Sequence, residues 1–158
     1  MIHIEVNPRL PEAPDASTRL STSLDALERA ALLALAHEAA DGDLTIVLTD
    51  DAQLRQLNRH YLDTDAPTDV LSFSASETDP ETGRRYLGDI LISIPRALEQ
   101  AQAAGHTLLA ETQLLVVHGT LHLLGHDHAE AQEKARMWKA QAEVLERLGL
   151  KGVAPQES

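Results

Sequence analysis

The stretch His118-Gly119-Thr120-Leu121-His122-Leu123-Leu124-Gly125-His126-Asp127-His128 constrains this chain more than any other. It holds four of the eight histidines. His118 and His122 are four residues apart, so a helix stacks both imidazoles on one face, about 5–6 Å apart at Cβ. Gly125 offers a helix stop, because glycine enters the left-handed conformation at little cost. A turn there brings His128 back over the same face. Two ligands from a helix and one from the turn after it make a three-histidine site with one position open. That is the plan of a catalytic zinc site, since a structural zinc site usually closes all four positions. A single histidine on an apolar helix is more often a packed or surface residue. Three at ligand spacing around a glycine turn are not accounted for in that way.

The rest of the composition narrows the chemistry. The chain has no cysteine, so disulfides and thiolate ligands are excluded and any metal must use histidine and carboxylate. Imidazole suits nickel and copper as well as zinc. The chain has 13 Lys+Arg against 25 Asp+Glu, a formal charge of −12. That balance argues against broad, charge-driven binding to nucleic acid or anionic membrane. It leaves room for a local cationic site that carries its own metal. No run of about 18 apolar residues occurs, so no membrane span is expected. The alternating start, Met1-Ile2-His3-Ile4-Glu5-Val6, lacks a basic leader, so no signal peptide is expected and the cytoplasm is the expected compartment.

At 158 residues the chain is long enough for one sizeable core. Residues 1–150 read as one domain, with a surface loop over 7–18 at Pro8, Pro11 and Pro14, and a loose polar tail over 151–158. Aromatics are 3%, so aliphatic side chains must build the core. Ile2, Ile4 and Val6 alternate as a strand. Leu24, Leu27, Ala31 and Leu35 recur at helical spacing over about 21–40, and Asp41-Gly42 ends that helix. A strand at 44–48 leads to a helix at 51–62 capped by Thr49 or Asp50, which buries Leu54, Leu57 and Tyr61. After the Asp65-Ala66-Pro67 turn, Val70 to Phe73 is a third strand. Residues 76–85 read as a hairpin connection and 86–94 as a fourth strand paired with 70–75. Pro95 starts a helix to about Ala104. Residues 107–124 form the most apolar helix. The last helix, 129–148, turns Ala131, Ala135, Trp138, Ala142, Leu145 and Leu148 inward. The expected architecture is α+β: a small mixed sheet of about four strands packed with about five helices, the central apolar one carrying the metal site.

The histidine spacing is H-x3-H-x5-H. The zinc peptidase pattern H-E-x-x-H-x-x-G-x-x-H has the same histidine and glycine offsets, and its glutamate is the general base. Here that position is Gly119, which can neither take nor give a proton. Zincin ligand geometry without the peptidase base points to hydrolysis of something other than an ordinary peptide, or to a base from elsewhere. His126 faces away from His128, either behind a ligand or in solvent. Asp127 either orients a ligand histidine by accepting its other N–H or, the favoured role, caps the following helix. Arg59, Arg84, Arg85 and Arg96 are the cations to test as phosphate contacts, against the ordinary alternative of solvated surface arginines. Thr68 and Asp69 either line a cleft or cap a turn. Gly88-Asp89 is either a bulge that brings a carboxylate near the site or a plain strand start.

Three blocks of residues carry a family resemblance. The first is His118-Gly-x-Leu-His122-Leu-x-Gly125-x-Asp127-His128. The second is Leu57-Asn58 followed by Pro67-Thr68-Asp69-Val70-Leu71-Ser72-Phe73. The third is Leu87-Gly88-Asp89-Ile90-x-Ile92-Ser93. In this order, over residues 44–148, the chain resembles the YbeY family of endoribonucleases, also called rRNA maturation factors. The resemblance implies a single-strand-selective endoribonuclease of ribosomal RNA processing and ribosome quality control in the bacterial cytoplasm. It implies one zinc ion per chain on His118, His122 and His128. Ribosomal RNA is the implied substrate, with ribosomal proteins or a GTPase of ribosome assembly as candidate protein partners. Two positions depart from the family's pattern. His126 stands where tyrosine is common, and Leu62 where an arginine implicated in activity is common. Leucine cannot bind a phosphate; Arg59, on the same helical face within one turn, is the candidate replacement, with His60 a weaker one.

Two other readings stay open on the residues. One is a metal hydrolase of another substrate. The other is a non-catalytic ribosome-associated module with a metal, which Leu62 and the acidic charge favour.

Overall fold

The computed structural model describes residues 1–8, 10, 24–62, 69–150 and 153, without the side chains of 60–62. The expectations for Tyr61, Leu62, the 65–67 turn and Thr68 therefore lie outside the described residues, as do most of the 7–18 loop and of the tail. The alternating start is strand β1 (Ile2–Val6), and the first amphipathic run is helix α1 (Leu24–His37). Helix α1 stops earlier than expected. Ala39, at φ 51°, takes the left-handed position, and the Ala40 N–H reaches back to the Leu35 carbonyl at 2.9 Å. Gly42 instead sits at a close approach to β-structure, where a Cβ would lie 2.9 Å from the Arg85 carbonyl oxygen.

Strand β2 (Asp43–Thr49) leads into α2 (Asp51–Leu62). The Asp50 carboxylate accepts the Gln53 N–H at 2.8 Å and so caps α2. Strand β3 (Val70–Thr78) is longer than its apolar part, Val70 to Phe73, suggests. Residues 76–78, expected as part of a connection, instead pair with β4 (Arg85–Ser93): Glu77 opposes Tyr86 and Thr78 opposes Arg85. Their side chains are exposed, and a strand edge in water carries no hydrophobic pattern. Helices α3 (Ile94–Ala104), α4 (Leu108–Leu123) and α5 (Ala131–Arg147) follow.

The described strands form one mixed sheet in the order β1-β2-β4-β3. β1, β2 and β4 are parallel, and β3 closes the hairpin antiparallel to β4. Successive side chains on a strand point to opposite faces. One face carries Ile2, Leu44, Ile46, Leu48, Ile90 and Ile92 into a core shared with α1, α4 and α5. The other carries Leu71 and Leu91 against Leu54 of α2, with Val47, Leu57 and Phe73 alongside. So α4 and α2 lie on opposite sides of the sheet.

The inward face of α5 differs from the expected one. Met137, Ala140, Gln141, Val144 and Leu145 are buried, while Ala131, Ala135 and Ala142 are exposed. Alanine carries too little apolar area to set a helix's rotation against Met137, Val144 and Leu145. Met137→Ala is therefore expected to cost about 2–5 kcal/mol. Ala135→Gln is expected to stay within about 0.5 kcal/mol. Urea unfolding of both variants checks the orientation.

Candidate metal centre

Helix α4 is buried along most of its length, including Glu111, Thr112, Gln113 and Thr120. The Thr112 and Thr120 hydroxyls donate to carbonyls one turn back, at 2.8 and 2.7 Å, so they leave no polar group unmet. His118 and His122 are only half-buried, because they sit where the helix reaches the rim of the core. Gly125, at φ 99°, ends the helix. Its N–H donates to the His122 carbonyl at 3.0 Å, and the His126 N–H reaches the Leu121 carbonyl at 3.0 Å. These are the paired bonds of a Schellman stop. The turn then carries His128 back to the first two histidines.

The three side chains converge. Ring centroids are 4.7 Å apart for His118 and His122, 5.1 Å for His122 and His128, and 5.6 Å for His118 and His128. One ring nitrogen from each lies within 4.8 Å of the others. His128 is exposed, so the cluster opens to solvent on that side. Trp138 of α5 walls another side, its ring 5.9 Å from His118 and 5.6 Å from His128.

Burial pushes the His118 pKa down to about 4, and the neighbouring His122 and His128 add to the shift. His122 is lowered in the same way, first by burial and then by His128. Both imidazoles are therefore neutral at pH 7 and keep the lone pairs that a metal needs. Three imidazole nitrogen donors without a thiolate suit a borderline divalent cation, so the residues present fit a bound metal.

The neighbours of the triad divide by role. His126 points away from it and meets the Glu38 carboxylate. Glu38 also accepts from His37 at 2.8 Å, and His37 reaches Glu143 of α5 at 2.6 Å. This chain ties the end of α1 to both the turn and α5. Asp127 does not cap α5, whose N-cap is Glu130. Its carboxylate accepts the His128 backbone N–H at 2.7 Å instead, so it stiffens the turn that carries His128. The residue behind His118 is Gln141, whose Oε1 lies 2.9 Å from the His118 Nδ1. The expected α5 face had missed it. With the helix correctly rotated, Gln141 is the one polar residue among the buried positions of α5, and that is the signal that could have found it.

The other candidates are not brought to the triad. Arg59 is exposed on α2, across the sheet, where it lines an open groove with Asp51, Ala52, Arg55 and Gln56. Arg84 is paired with Asp43 at 2.7 Å and holds that carboxylate's pKa to about 2. Arg96 forks onto Asp51 at 3.1 and 3.0 Å. Arg85 is exposed at the start of β4. The Asp69 carbonyl accepts the Ser93 N–H at 2.9 Å at the end of the hairpin. Gly88 does lie at a bulge, since Leu87 has no partner in either neighbouring strand's register. Asp89, however, points to the α2 side, where it accepts the Tyr86 hydroxyl. Two cations of α5 lie near the turn and the tryptophan that border the triad. Lys134 lies 5.5 Å over the Trp138 ring, and Arg136 lines a crevice with Gly125, His126 and Asp127.

Gly119 faces the sheet. A Cβ there would lie 2.7 Å from Ile90 Cγ2 and 3.2 Å from Ser72 Oγ. No side chain fits, so a peptidase glutamate has no room at this position.

A family model described as endoribonuclease YbeY matches residues 14–149. The endoribonuclease YbeY of Moorella thermoacetica is 40% identical over 153 residues, covering 92% of this chain and 97% of that protein. That of Carboxydothermus hydrogenoformans is 43% identical over 130 residues, covering 82% and 88%. The solution structure of TM1509 from Thermotoga maritima superposes with a TM-score of 0.57 at 26% identity, covering 94% of this chain and 89% of that one.

Two outcomes follow from this geometry. Gly119→Ala is expected to destabilise the protein by about 1–3 kcal/mol, through overpacking against Ile90, as read by urea unfolding. The second concerns pH in the metal-free protein. An unfolded His118 takes its proton near pH 6.5 and the folded one near 4. Between those values the unfolded chain binds more protons, so stability is lost as pH falls. The loss is on the order of 3 kcal/mol. Denaturation of chelator-treated protein at pH 7, 5.5 and 4 measures it, and His118→Leu should remove that part of the slope.

Proposed function

Because the chain belongs to the YbeY endoribonuclease family, we propose that it is a zinc-dependent endoribonuclease. It cuts single-stranded RNA, ribosomal RNA above all, and one zinc ion per chain is held by His118, His122 and His128. The observation that carries this reading is the convergence of three ring nitrogens within 4.8 Å, with His118 and His122 held neutral by burial. Zinc on such a donor set would supply a Lewis acid and a bound water whose pKa falls to about 7.

The chain's own residues do the rest. His118 and His122 come pre-aligned on α4, and Asp127 fixes the approach of His128 through its backbone. Trp138 shields one flank, while the exposed side at His128 admits a polymer. Lys134, over the Trp138 ring, and Arg136, beside the Gly125–Asp127 turn, take the phosphate-contact role that Arg59, across the sheet, is not placed to fill. Gly119 offers no base and no room for one, which favours RNA over peptide as substrate. Residues 1–150 act as one hydrolase domain. Ribosomal proteins or an assembly GTPase are the proposed partners, in the cytoplasm. Among the described residues no helix is long and apolar enough to cross a membrane.

Purified protein should carry one zinc per chain, and chelation should stop cleavage of single-stranded RNA until zinc is restored. His122→Ala should lower the cleavage rate roughly a thousandfold, the scale of a lost metal contribution of several kcal/mol. Undiminished cleavage in that variant would sink the proposal. A fourth protein ligand on the metal would favour the non-catalytic reading.

A further inference from the structure

We infer that Gln141 is a positioning residue of the metal centre: its side-chain carbonyl holds His118 in the Nδ1–H tautomer and so turns the Nε2 lone pair toward the ion. This rests on the metal-centre reading above. The His118 Nδ1 and Gln141 Oε1 are 2.9 Å apart. An amide oxygen cannot donate, so the ring nitrogen carries the proton. In a neutral imidazole the proton on one nitrogen leaves the other as the acceptor, and only that nitrogen can bind a metal. Gln141 is 1% exposed and lies on the α5 face otherwise formed by Met137, Ala140, Val144 and Leu145. A buried amide in an apolar face is costly unless it is hydrogen-bonded, and leucine would fill similar space without that cost. The bond also spans two helices, so the rotation of α5 sets the orientation of a ring on α4. Metal-ligating histidines generally need such a partner, and its loss weakens metal binding roughly ten- to a hundredfold.

The test uses zinc alone as the probe, in competition with a chromophoric chelator at pH 7. Urea unfolding of the metal-free proteins runs in parallel. Gln141→Leu should weaken zinc binding roughly ten- to a hundredfold with an unfolding midpoint at or above that of the parent. Gln141→Glu keeps the acceptor and should hold affinity within about threefold or tighten it. A Gln141→Leu protein that binds zinc as the parent does would overturn the inference, as would an equal loss in both variants. If neither variant folds, long-range proton–nitrogen correlation spectra of the parent decide: the Nδ1–H tautomer of His118 supports the inference, and the Nε2–H tautomer defeats it. A parent protein that binds no zinc would defeat the metal-centre reading on which the inference rests, and with it the inference.

Discussion

Helix α4 lies so close to the sheet that at two positions a Cβ would clash unless a neighbour shifts. At Gly119 the helix presses on Ile90 and Ser72; at Gly88 the sheet returns the contact, where a Cβ would meet the Phe73 carbonyl oxygen and Leu123. Interiors packed at crystal-like density allow little adjustment. The two contacts therefore fix how far along β4 the helix sits and which way it is turned. With the helix so fixed, His118 and His122 must emerge at the rim beneath α5. The histidine cluster is a consequence of helix–sheet packing before it is a matter of ligand chemistry.

The third histidine is placed by different means. The Schellman stop at Gly125 sends the chain out of α4 at a set angle. Asp127 then holds the backbone of His128, and the Glu38 link to His126 anchors the turn to α1. One ligand thus depends on contacts from residues far away in sequence. Those contacts are polar and half-exposed, while the grip on α4 is apolar and dry. The site joins a rigid half to a half that water can reach, which suits a centre that must accept a polymeric substrate from one side.

The kinds of element were legible from residue order: among the described residues, four strands and five helices lie close to where the hydrophobic period indicates. The histidine triad was legible as well, because i, i+4 spacing and a glycine stop are local signals. Four things were not. The far end of β3 pairs through its backbone in water and shows no apolar pattern. The rotation of α5 was hidden by alanines, which repeat at helical spacing yet bury little area. Gln141 and Glu38 escaped notice because their partners are 23 and 88 residues away, and single-sequence patterns do not reach that far. The side of the sheet on which Arg59 falls depends on strand order, which local sequence does not encode.

Trp138 is the chain's one tryptophan, and it stands against two of the three histidines. All indole emission from this protein therefore originates beside the histidine cluster. Occupancy of the triad, the arrival of a nucleobase and a shift of α5 each act on the same fluorophore, so the site can be followed in the native protein without a label.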